Sequence, residues 1–270
     1  MSPARAAPLN AWNKMANYLS QLLAVAETDV RKLRHDPWEL LTRMVQPMLW
    51  LLIFGEVFTR AHVIPTGGMS YLDFITPGIL AQSVLFVAIF YGVSVIWERD
   101  LGILHKMLVS PTPRSALVLG RALSSGVRGL SQGVVVYAIA AMLGVDLSVS
   151  FGSVLGVIVA VMVGAAIFST FSLIAACIVK TRERFMGIGQ VLTMPLFFAS
   201  NAIYPIDMMP AWLRHVATVN TLSYEVDALR TLMINGGISS FGLGTDFAVQ
   251  GLALIVLVAI ATKLYPTLAN

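Results

Sequence analysis

The chain has 270 residues, 57% of them hydrophobic and 12% charged, with a mean hydropathy of +0.79 and a formal net charge of +4. Soluble domains carry about 25% charged residues, so half that share points to an integral membrane protein, with room for about six spans of ~20 residues. The single cysteine, Cys177, excludes a disulfide framework or a cysteine-based metal cluster. It lies in an apolar run and reads as a packing residue. The positive charge reflects where the basic residues sit and is not a nucleic-acid surface.

Residues 1–39 read as a cytoplasmic segment. MSPARAAPLNAWNKM has no apolar core before residue 40 and is not a signal peptide. Residues 14–35 predict an amphipathic helix in the membrane interface. Leu19, Leu22, Leu23, Ala26, Val30 and Leu33 form its apolar stripe, with Glu27, Arg31, Lys32 and Arg34 off it. It serves as a lipid anchor or as a contact for a partner, and Asp36-Pro37 ends it.

Residues 40–270 form one all-α membrane domain with six predicted spans, at 40–58, 75–96, 116–143, 154–179, 188–204 and 247–264. The third is long, so its start lies at or below the cytoplasmic interface. Between the second and third spans, residues 97–114 (WERDLGILHKMLVSPTPR) are polar and amphipathic. Leu101, Leu104, Met107 and Leu108 recur at helical spacing, so one face seeks a protein or lipid partner. A short cytoplasmic helix of this kind is what a separate motor needs in order to move a transport channel. Before the last span, residues 210–219 and 223–234 predict two short helices joined at Asn220-Thr221. Pro210 suits a first turn and Ser223 an N-cap. Trp212, Leu213 and Val216 give the first of them an apolar face. Both helices are too short to span, so they lie on the surface or dip back in against protein.

Fifteen of the 18 Lys and Arg fall on one side of this layout, leaving Arg60, Arg214 and Arg230 on the other. Both termini are therefore expected in the cytoplasm. Gly-Lys occurs nowhere, so there is no Walker A loop and no ATPase site of that kind. His35, His62, His105 and His215 lie in separate segments, and no metal site is expected. The ionisable residues inside predicted spans are Arg43, Glu56, Arg121 and Arg128. Arg43 and Glu56 reach the interfaces by snorkelling, and Arg121 reads as interfacial. Arg128 lies deeper, either paired structurally or touching a substrate or lipid. No chain of intramembrane Asp or Glu is evident, which counts against a proton-coupled pump. Small residues such as Gly126, Gly129, Gly133, Gly156 and Gly164 allow close helix packing.

Four stretches together resemble the ABC-2 type transporter permeases, in the branch of daunorubicin-resistance and nodulation-type exporters. They are Asp36-Pro37 through Gln46-Pro47 to Gly55, Glu98-Arg99-Asp100-Leu101-Gly102 through Ser110-Pro111, Ile203-Tyr204-Pro205 to Leu213, and Asn220-Thr221-Leu222-Ser223-Tyr224-Glu225-Val226-Asp227-Ala228-Leu229-Arg230. The family usually has Asn-Pro where this chain has Asn220-Thr221. The resemblance implies six transmembrane helices, a permease dimer with a second or homologous copy, and two copies of a separate ABC ATP-binding subunit. That subunit would bind ATP and Mg; this chain would bind no cofactor and no nucleic acid. Glu98, Arg99, Gly102, Leu104, Lys106, Met107 and Leu108 would form the helix that docks on the ATPase, which the N-terminal helix also touches. Trp212, Leu213, Val216 and Tyr224 would belong to two extracellular helices. The implied function is export across the plasma or inner membrane of a drug, lipid or lipid-linked glycan. A polysaccharide exporter of the same family is the nearest alternative, and an ATP-independent carrier or scaffold is the rival class.

Overall fold

The computed structural model describes residues 45–61, 64–66, 68–102, 113–179 and 181–269, together with Ser20, Glu27 and Thr42. The N-terminal stripe (Leu19, Leu22, Leu23, Ala26, Val30, Leu33) lies outside the described residues, as do Leu104, Lys106, Met107 and Leu108. The described chain is helical, apart from loops and an isolated bridge between Leu147 and Ile234. We number the helices α1 (residues 45–61), α2 (Tyr71–Asp100), α3 (Arg114–Met142), α4 (Phe151–Ile178), α5 (Arg182–Phe198), α6 (Ala211–Val219), α7 (Thr221–Met233) and α8 (Leu243–Leu264). Within α1, Trp50–Gly55 is π-helical and leads into the α-helical Glu56–Ala61.

Local chemistry sets several of these boundaries. Ser70 caps α2 by accepting from the Asp73 amide, and Ser150 caps α4 by accepting from Ser153. Gly102, at φ +71°, ends α2 and donates its N–H to the Arg99 carbonyl. The fifth predicted span is displaced. α5 begins at Arg182, inside the charged connection, and stops at Phe198. It runs through Pro195, and the Asn220 amide then takes its terminal carbonyls, donating to Leu196 O at 2.7 Å and Ala199 O at 2.9 Å. Residues 199–204, expected in the span, are irregular.

α7 also starts earlier than predicted. Its cap is Asn220, whose Oδ1 accepts from the Leu222 amide at 3.0 Å. Ser223, expected to cap, is buried inside the helix. Asn220 wins because its two-headed amide can cap α7 and bind the end of α5 at once.

α2 and α4 form the centre of the bundle, with α3, α7 and α8 packed on α4. Gly126 faces Met162, and Gly129 faces Val161 and Ala165, so the small residues of α3 and α4 do permit close contact. α7 runs antiparallel along α4: Leu232 meets Gly156 and Glu225 meets Gly164. The C-terminal end of α7 is tied to the α3–α4 loop, with Ser148 N donating to Met233 O and Asn235 N to Asp146 O. The N-terminus of α7 therefore reaches down into the bundle. Among the described residues, three helices are long and apolar enough to cross a membrane: Tyr71–Asp100, Phe151–Ile178 and Leu243–Thr267. α3 is as long but carries Arg114, Arg121 and Arg128, and α5 has 17 residues.

Candidate functional site

At one end of the bundle, the base of the 97–114 segment is pinned to three other elements. Glu98 is 8% exposed and Arg121 is 3% exposed, and Arg121 Nη2 lies 2.5 Å from Glu98 Oε2. The Arg121 Nε donates to Tyr265 Oη at 3.4 Å, bringing in the turn Tyr265–Ala269 after α8. Arg121 is thus packed between helices at this end of the bundle, and Glu98 points inward to neutralise it. Nearby, Asp100 accepts from Arg182 Nη2 at 2.8 Å and Nε at 3.1 Å, and from Arg99 Nη2 at 3.2 Å. Arg182 also lies 3.7 Å over the Trp97 ring. The hydrogen bonds from Arg182 first, and from Arg99 second, hold the Asp100 carboxyl below the usual carboxylate range. Glu98 and Arg99, expected in the docking helix, lie in the last turn of α2, and Gly102 follows its end.

Arg128 is half-buried on α3, with its guanidinium 5.3 Å from the Tyr91 ring centroid on α2. It faces a neighbouring helix, as its depth requires.

At the opposite end, α7 is held by its own charged residues. Arg230 donates to Asn201 O at 2.7 Å and Phe74 O at 3.3 Å, and stacks 3.9 Å over the Phe74 ring. Asp227 accepts from Ser239 Oγ at 2.6 Å, Ser240 N at 2.9 Å and Phe241 N at 3.0 Å. The Tyr224 hydroxyl donates to Thr218 O at 2.7 Å, joining α7 to α6. Leu213 is half-buried, whereas Trp212 and Val216 are exposed, so that apolar face is open. Glu225, Asp227 and Asp246 are all buried. Acidic groups are therefore buried in the bundle beyond Glu56, the one acid expected inside a span. The available signal was Gly156, Ala160 and Gly164 at four-residue spacing on α4, a strip where another helix comes close. Among the described residues no group of His, Cys, Asp and Glu could hold a metal ion.

A helical bundle with long apolar helices and charge-pinned ends defines a membrane protein. Within that class, the ABC-2 type transporter family model matches residues 20–234, and the chain belongs to this family. It is 28% identical to the transport permease ycf38 of Cyanophora paradoxa over 223 residues, 80% of this chain and 74% of the relative. It is 26% identical to the daunorubicin resistance ABC transporter permease protein DrrB1 of Streptomyces coeruleorubidus, over 86% of this chain and 81% of the relative. It is 24% identical to nodulation protein J of Rhizobium meliloti, over 88% and 87%. Permeases of this family generally work with ABC ATP-binding subunits.

Proposed function

We propose that the chain is the membrane subunit of an ATP-driven exporter of hydrophobic or amphipathic cargo. α1 to α5 and α8 are its six spans, both termini are cytoplasmic, and α6 and α7 belong to the outer side. Two copies of an ATP-binding subunit, which hold ATP and Mg, push on residues 97–114 and on the N-terminal helix. A second permease copy completes the path, and exposed apolar residues such as Leu49, Ile53 and Val57 on α1 suit lipid or that copy. Arg128 is a contact for an anionic headgroup or cargo. The relative named for daunorubicin resistance supports a drug-like cargo.

One observation carries the coupling role. The root of the 97–114 segment is fixed to α3 by Glu98–Arg121 and to α5 by Asp100–Arg182. A push on that segment therefore displaces three helices together rather than bending one. Coupling through rigid elements with two arrangements needs that connection. Leu104 and Met107 form the docking face. Replacing both with Asp puts charge into an apolar contact, at a cost of a few kcal/mol, on the order set by desolvation. The double variant should lose transport and cargo-stimulated ATPase activity while keeping its yield and helicity. Unchanged motor binding and transport would refute the role.

A further inference from the structure

One buried carboxyl group plays no part in the pinning of either end. Glu225 on α7 is 1% exposed, and neither of its carboxyl oxygens has a hydrogen-bond partner among the described residues. It rests directly on Gly164 of α4, so closely that a methyl group there would collide with it. Gly164 is at the middle of the 28-residue α4. By helical rise it lies about 20 Å from either end.

No charge on the surrounding elements is turned to this carboxyl. α4 carries no acid, base or tyrosine along its length, and Cys177 lies near its far end. On α8, Asp246 is turned to Ser239, and Lys263 is in the last turn. On α2, Asp73 holds the Asp146 amide, Tyr71 donates to Ile203 O and Tyr91 lies under Arg128. Glu98, Arg99 and Asp100 belong to the opposite end of α2. On α6, Arg214 donates to Asp207 O and His215 is exposed. On α7 itself, Tyr224, Asp227 and Arg230 are engaged as described. A lone carboxylate in such surroundings is far costlier than its protonated form.

We propose that Glu225 is a proton-binding site of the α4–α7 seam: the seam closes only with a proton on this carboxyl, and opening it to water releases that proton. The step is a single proton exchange. The carboxylic acid becomes carboxylate plus a proton in water on opening, and the reverse occurs on closing. Gly164 makes the seat possible, because a larger residue would hold α7 away.

The linkage is quantitative. While the closed form is neutral and the open form ionised, the open fraction rises about tenfold per pH unit. Leu232, which sits on Gly156 in the same seam, reports the opening when changed to Cys in a Cys177→Ala background. Its labelling rate by a thiol reagent is divided by that of Val219→Cys, which is exposed, to remove the reagent's own pH dependence. The purified chain in nanodiscs should show this ratio rising about tenfold per unit between about pH 6 and 8. Glu225→Gln should abolish the rise, and Asp246→Asn should keep it. A flat ratio in the parent, a rise surviving Glu225→Gln, or its loss in Asp246→Asn would each overturn the proposal. Should the Gln variant fail to fold, infrared spectroscopy of Asp246→Asn decides the matter. A protonated-carboxyl band that persists at about pH 8 supports the site, and its absence overturns it. None of these readouts needs cargo or ATP, so they stand apart from the exporter reading.

Discussion

Glu98 and Arg121 are 23 positions apart in sequence and meet at 2.5 Å with both side chains buried. Removing one member leaves the other charged and unpaired in a dry place, at a cost of about 3–5 kcal/mol. Glu98→Ala should therefore lower the detergent melting temperature strongly. Glu98→Met combined with Arg121→Leu should recover most of the loss, because packed apolar groups often replace a buried pair without penalty. Equal melting of the single and double variants would show that the pair does not hold this end. Asp100 behaves differently because it is open to water. Its carboxyl is held low by Arg182, so the Arg182 clamp is fully present above the ordinary carboxylate range and is lost only as pH falls through that lowered value. Arg121 was legible in sequence as an ionisable residue in an apolar run. Its partner was not, because Glu98 reads as part of a water-facing connection.

At the scale of elements, the α6–α7 hairpin turns on one side chain. Asn220 ends α6 through its own N–H to Val216 O, caps α7 through Oδ1, and binds two carbonyls at the end of α5 through Nδ2. Thr221 occupies the first helical position, where a proline would fit without losing a hydrogen bond. The turn forms here without one. Asn220→Ala loses the cap, at about 1 kcal/mol, and leaves the two carbonyls unpaired, at about 1–3 kcal/mol each. Asn220→Ser keeps a cap acceptor but cannot reach α5, so it should fall between Ala and the parent in thermal stability. Stability equal to the parent would mean that the α5 contacts contribute nothing. Among the described residues, the order of the helices was readable from hydropathy and caps. The end of α5 was not, since residues 199–204 are apolar enough to continue a helix and only Asn220, more than 15 residues on, closes it.

For the whole molecule, the two ends of the bundle carry different chemistry. Among the described residues, the end with Asp100, Arg114 and Arg182 also carries Arg99, Arg121, Arg184 and Lys263, and the end with Tyr71, Phe151 and Leu243 carries Arg60, Arg214 and Arg230. The proposed orientation places the basic end in the cytoplasm. Ile238, exposed in the loop before α8, should then react from outside intact cells with an impermeant thiol reagent when changed to Cys in a Cys177→Ala background. Ser2→Cys should react only after the membrane is opened. Reversed labelling would overturn the orientation.

The sequence by itself determined the membrane class, the apolar runs that become α1 to α5 and α8, and the family, because these depend on sums and patterns along a short length of chain. Hydropathy and capping act within about one helix, so they can be read without knowing neighbours. Only the tertiary structure decided which charges meet and which face of α7 is seated on α4. Asp100 finds Arg182 across 82 positions, and Glu225 finds Gly164 across 61. Such pairings depend on where separate helices come to rest, and the low polarity of the interior makes each one matter far more than it would in water.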